Sequence, residues 1–304
     1  GCYIKLCDSP DEALATEYVR IHTSIPVPKV LDVVQIPAGS VHICRTWLMI
    51  STVLPGTPLF YAGSGHRLRG ASEHQVQRVC EYLRDWIAQL RNLPSPFDQR
   101  VCGFTGGSFL SRRIDENPVG PFTCIADLHA HESLTLSPSE LASNPHLAHL
   151  KKSYSMHLVH GDLLLHNILA DSDLQPTGIV DWECAAWMPE YWETVSSSRG
   201  SFTYMWRWKD IRRESFPGYE MELELDREVQ KSCSYRPTGL PGKFLRLMKL
   251  CAAISYCRLS AVSNCPARCL VGSLSCFLCP RCWMCYTWIF ETSSFFQFES
   301  LFLR

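Results

Sequence analysis

Apolar residues repeat at two different periods along this chain, and those periods sort most of the first 230 positions into elements. Val76, Val79, Leu83, Trp86, Ile87, Leu90 and Leu93 recur at three- and four-residue spacing until Pro94, which is the period of a helix with one buried face. Ser72 and Gln75 precede that stripe with the spacing of a capping box, so the helix is expected to start there. Residues Cys2 to Leu6 read instead as a short apolar strand interrupted by Lys5. Ser9-Pro-Asp-Glu12 then has the form of a second capping box with Pro at the first helical position, predicting a helix from about Pro10 to about His22. Ile25-Pro-Val-Pro28 breaks it and leads into strands near Val30 to Val34 and Trp47 to Val53. Leu54-Pro-Gly-Thr-Pro58 is a turn-rich connector, residues 94–130 are rich in Gly, Pro and Asp and read as loops, and Ser137-Pro-Ser-Glu140 opens a further helix toward Lys152.

The chemistry is concentrated in Leu158-Val-His-Gly-Asp-Leu-Leu-Leu-His-Asn-Ile-Leu169, where an apolar, strand-like run brackets a polar loop with Asp162 and Asn167 five residues apart. That is the spacing of a kinase catalytic loop. Thr177-Gly-Ile-Val-Asp-Trp-Glu183 follows as a second strand ending on Asp181, which brings another carboxylate beside Asn167. Two oxygen donors on adjacent strands can hold Mg²⁺.

Composition narrows the partners. With 304 residues, 46% of them hydrophobic, the chain can fill a real core. A net charge of -1 supplies no long-range basic field, so nucleic acid and acidic membrane surfaces gain no support as main partners and a small-molecule ligand is expected instead. The opening GCYIKLCDSP lacks an initiator Met and the pattern of a signal peptide, and it reads as the shortened start of a cytoplasmic protein.

The motifs together resemble the aminoglycoside phosphotransferase family: His160-Gly-Asp162 with Asn167 five residues on, then Asp181-Trp-Glu183. Ile25-Pro-Val-Pro28 and Met188-Pro-Glu-Tyr-Trp-Glu193 are similar to fungal members in particular. The resemblance covers about residues 3–230. It implies an α+β, protein-kinase-like two-lobed fold, with a partial N-terminal lobe over residues 1–53 and a mostly helical catalytic lobe over 54–232. It also implies ATP and Mg²⁺ as cofactors, GTP being the alternative nucleotide, and transfer of the γ-phosphate to a hydroxyl of a small molecule. On that resemblance Asp162 takes the acceptor's proton and Asn167 and Asp181 hold the metal. Lys5 contacts the nucleotide phosphates with Glu12 as its acidic partner and Glu17 as the fallback. Met49, Ser51 and Thr52 lie where the family's hinge holds adenine. His160 reads as a brace for the loop backbone, and His166 is given no role. The Gly-rich hairpin that covers the phosphates in the family has no counterpart before β-forming residues 2–6, so a non-catalytic nucleotide-binding protein is the alternative reading.

The chain changes character near residue 232. Nine of the sixteen Cys lie in residues 233–304, which contain no Asp and only Glu291 and Glu299 as acids. Cys276, Cys279, Cys282 and Cys285 could by spacing alone make an iron–sulfur or zinc site. The absence of any helical or strand period favours an unstructured or mistranslated tail.

Overall fold

The computed structural model describes residues 1–37, 46–61, 65–115, 117–133, 153–198 and 206–235. The helix expected from Ser137 to Lys152 and the Cys-rich segment from residue 236 onward lie outside the described residues.

Strand β1 (Cys2–Cys7), helix α1 (Asp11–His22), β2 (Val30–Gln35) and β3 (Trp47–Thr52) open the chain. The strands form an antiparallel sheet in the order β1-β3-β2, with Lys5 opposite Met49. Cys7, Ala13 and Met49 pack together with Val30, Val33 and Trp47, so a small apolar cluster joins this sheet to α1. The start of α1 corrects the sequence reading. Pro10 is the N-cap and no side chain caps the helix; Glu12, expected to fold back on Ser9, turns to Lys5. A charged donor outcompetes a backbone amide for a carboxylate.

The chain continues through β4 (Thr57–Pro58) and the hairpin β5–β6 (Phe60–Tyr61, Gly65–His66) into α2 (Glu73–Arg91). Here the expected capping box is present, Ser72 Oγ accepting from Gln75 N and Gln75 reaching back to Ser72 N. Its apolar stripe, Val76 to Leu90, is buried against Leu158, Leu163, Leu165, Trp208, Ile211 and Phe216. Each such side chain contributes about 1.5–3 kcal/mol on burial and the cap about 1 kcal/mol. Burial therefore makes the helix, and the cap fixes where it starts.

The stretch read as loop also holds β7 (Cys102–Gly103) and α3 (Ile125–Ser133). After it come β8 (Met156–Val159), β9 (Ile168–Ala170), β10 (Pro176–Ile179) and β11 (Ala186–Pro189), then α4 (Trp192–Ser196), α5 (Trp206–Ser215) and α6 (Glu220–Tyr235). Strands β10-β9-β4 make one small antiparallel sheet and β7-β11-β8 another. Both sheets hold the ends of the polar loop between β8 and β9. The expected α+β class is what the described elements show. None of the described helices is long and apolar enough to cross a membrane, and the six described cysteines are free thiols.

Candidate functional site

The loop from His160 to Asn167 is tied down from three directions. His160 Nδ1 accepts from the Asp162 amide at 3.3 Å, which leaves Nε2–H to donate to Val180 O at 3.0 Å. Its ring lies against Trp182, centroid to centroid 4.7 Å. The backbone amides of His160 and Gly161 both donate to the buried Glu193 carboxylate, at 2.7 and 3.3 Å. Asn167 Nδ2 donates to Asp162 O at 2.9 Å across the turn. Gly161 has φ 79°, and a Cβ there would lie 2.4 Å from Cys184 O, so only glycine lets the loop pass this close. His160 thus braces backbone.

Asn167 and Asp181 sit at the ends of adjacent strands. Ile168 faces Ile179 in the β9–β10 pairing, and Val180 N donates to Asn167 O at 3.0 Å. One residue on, Asp181 adopts left-handed backbone, φ 70° and ψ 61°, a conformation that costs a non-glycine residue about 1–2 kcal/mol. Strain of this kind persists where surrounding contacts over-determine it. Those contacts include Lys5, whose Nζ donates to Asp181 Oδ1 at 2.5 Å and to Glu12 Oε1 at 2.9 Å and lies 3.4 Å from Glu183 Oε2. Glu17 pairs with the exposed Arg20.

Charge in this cluster is lopsided. Burial opposes the Lys5 ammonium, yet Asp181, Glu12 and Glu183 together hold its pKa well above the usual lysine value. Burial likewise works against ionised Asp181, but Lys5 overcomes it and keeps the carboxyl below its ordinary value. At Glu12 burial wins over Lys5 and the carboxyl is pushed up. Carboxylate oxygens of Glu12, Asp181 and Glu183 lie within 4.8 Å of one another. Three carboxylates around one ammonium leave an excess of negative charge that suits a divalent cation. Asn167, its amide nitrogen used by Asp162 O, keeps a side-chain oxygen without a partner among the described residues. The donor set fits Mg²⁺.

Met49 lies in the sheet opposite Lys5, its side chain in the apolar cluster with Cys7 and Ala13. Ser51 is buried farther along β3, and Thr52 Oγ1 accepts from Lys29 N at 2.9 Å. No contact joins Ser51 or Thr52 to the ionic cluster among the described residues. Three further residues stand at the site. Glu193 and Glu183 lie inside motifs that give them no separate role, and Arg112 lies in no motif. Arg112 pairs with Glu183, and its Nε lies 3.8 Å from Asp162 Oδ2.

The sequence model of the phosphotransferase enzyme family matches residues 10–220. The chain belongs to that family. The described elements, helices with small antiparallel sheets, give it the α+β class. Among solved structures, a thermostable mutant of aminoglycoside phosphotransferase APH(4)-Ia in ternary complex with AMP-PNP and hygromycin B is similar at 20% identity and TM-score 0.41, covering 64% of this chain and 63% of that one. The apo form of a thermostable mutant of APH(4)-Ia is similar at 18% identity and TM-score 0.46, covering 77% and 80%. Macrolide 2'-phosphotransferase MphH from Brachybacterium faecium is similar at 14% identity and TM-score 0.41, covering 76% of each chain. No relative was found among curated proteins.

Proposed function

We propose that this family member moves the γ-phosphate of ATP to a hydroxyl of a small molecule. One observation carries the reading most directly: Lys5, the Asn167 and Asp181 strand ends and the loop of Asp162 meet in one place, although 176 residues separate Lys5 from Asp181. In this reading Asp162 accepts the proton of the acceptor hydroxyl as its oxygen attacks, and the Asn167–Asp162 bond keeps the loop from turning away. Lys5 exchanges its short contact with Asp181 for a phosphate oxygen while Glu12 holds the ammonium in line. Asn167 and Asp181 are the residues that hold Mg²⁺, with Glu183 beside them. Mg²⁺ supplies neutralising charge at the phosphates.

The lobe boundaries, residues 1–53 and 54–232, belong to this proposal, as does adenine beside Met49, Ser51 and Thr52. So does the narrower likeness to fungal members, which rests on Ile25-Pro-Val-Pro28 and on Met188 to Glu193. Both segments have structural reasons. Pro26 O accepts from Ile179 N at 3.0 Å, seating the first segment against β10, and Glu193 holds the catalytic loop. Free thiols at the described cysteines support a cytoplasmic protein.

The test is ADP release against a panel of hydroxylated small molecules. Asp162→Asn is expected to cut turnover about 10²–10⁴-fold, the range for removing a positioned general base, while ATP affinity stays near that of the parent. Asp171→Asn is the control, because among the described residues that carboxylate accepts just the Asp173 and Gln175 amides in the β9–β10 turn. Unchanged turnover in Asp162→Asn would remove Asp162 from the mechanism.

A further inference from the structure

Arg112 stands in none of the catalytic-loop motifs, yet its guanidinium reaches two of the site's carboxylates. Nη2 donates to Glu183, Nε lies 3.8 Å from Asp162 Oδ2, and the side chain is 45% exposed. Its Nη1 has no partner among the described residues. A half-exposed ion pair contributes about 0–1 kcal/mol, so stability is a weak reason to hold an arginine here.

The backbone beneath it is nevertheless firmly anchored. Ile114 and Asp115 amides both donate to Ser111 O, at 2.9 and 3.1 Å. The next residue, Arg113, is buried, pairs with Glu132 and Asp226, and lies 5.0 Å over the Trp192 ring. One arginine fixes the turn and the other is thereby presented beside Asp162. Around that point Glu12, Asp162, Asp181 and Glu183 face the cations Lys5 and Arg112, and His166 Nε2 lies 4.0 Å from Asp162 Oδ2. Lys5 is already surrounded by three carboxylates. Any anion approaching Asp162 needs a donor, and a guanidinium with an open edge matches an oxyanion in shape and charge.

We propose that Arg112 binds an oxyanion beside Asp162, coming either from the phosphoryl group in transfer or from an acidic group on the acceptor. The inference rests on the phosphotransferase reading and adds a specificity-determining residue to it. Arg112 forms and breaks no covalent bond; it donates hydrogen bonds and charge.

The experiment compares the full chain with Arg112→Ala and Arg112→Lys. It measures affinities for ATP and ADP in Mg²⁺, hydrolysis of ATP in water, and transfer to hydroxy acids and to uncharged polyols. If the phosphoryl group is the source, Arg112→Ala loses about tenfold or more in ATP affinity with ADP affinity unchanged, and hydrolysis and all transfer fall together. If the acceptor is the source, nucleotide affinities and hydrolysis hold. The KM for hydroxy acids then rises about 10–100-fold, the worth of a charge-assisted contact, and polyols are unaffected. Arg112→Lys keeps the charge without the fork, so it falls between parent and Arg112→Ala in either case, and it carries the test alone should Arg112→Ala not fold. Variants that match the parent in all five measurements overturn the proposal while leaving the phosphotransferase reading in place. A parent chain that binds neither nucleotide overturns both.

Discussion

On the catalytic-loop side of the site, His160, Asp162 and Asn167 are no more than 5% exposed, and the loop is held through Glu193, Val180 and the Asn167 side-chain amide. On the sheet side, Tyr3, Ile4 and Leu31 are each more than half exposed, and what brings β1 to the loop is the group of ion pairs around Lys5. One half is positioned by packing and hydrogen bonds, the other by charge. In the proposed reaction such a division lets Lys5 shift when a ligand brings its own charge, while Asp162 stays where the loop puts it.

The comparison breaks most sharply at Glu193. Removing it in Glu193→Ala strands one buried and one half-buried amide donor, each worth up to about 1–3 kcal/mol when left unsatisfied. A loss of about 2–6 kcal/mol in chemical denaturation is therefore expected; an effect under about 1 kcal/mol would show that packing alone holds the loop. Glu193→Gln keeps an acceptor and sharpens the point through pH. Burial raises the Glu193 pKa in the folded chain despite the opposing His160 and backbone amides. Because a raised carboxyl binds its proton more tightly when folded, its stabilisation is complete below the ordinary glutamate value and fades as pH rises through the folded one. The melting temperature of Glu193→Gln should gain on the parent's as pH climbs through that window, and parallel curves would contradict the assignment.

Lys5→Met is the matching change on the charged side. It leaves three carboxylates facing one another and is expected to destabilise by about 1.5–3 kcal/mol, the worth of charge-assisted contacts. Because ion pairs are screened by salt, added salt should narrow its gap from the parent, whereas the Glu193→Ala gap should not move. The smallest effect is expected from a chain ending at Tyr235, where α6 ends. Residues 236–304 carry no pattern suited to packing on the domain, so its melting temperature should lie within about 2 °C of the full chain's. Failure to fold, or zinc or iron bound at stoichiometry by the full chain, would give the tail a structural role.

The same contrast explains what the sequence revealed. Asp162, Asn167 and Asp181 are legible because their spacing is local, and α2 is legible because its apolar stripe and its Ser72–Gln75 box agree. At Ser9–Glu12 an equally good local pattern misled, since Glu12 is taken by Lys5 through a contact that exists only after β1 and α1 have packed. Glu193 and Arg112 were missed for a related reason: they meet the loop from 33 and 50 residues away in sequence, and no periodicity records such a meeting. Helix α3 starts four residues after Pro121, within a stretch whose Gly and Pro content, averaged, hides a nine-residue element.

Calorimetric titration of ATP, with and without Mg²⁺, into the parent and Asp181→Asn tests the central claim most directly. Asp181 belongs to both halves, as Lys5's closest partner and as the carboxylate at the strand end beside Asn167 that the proposed function assigns to Mg²⁺. The account predicts Mg²⁺-dependent binding by the parent and an affinity about 10–100-fold lower for Asp181→Asn, in keeping with the loss of one charged contact of about 1.5–3 kcal/mol. Binding that ignores both Mg²⁺ and the substitution would contradict it.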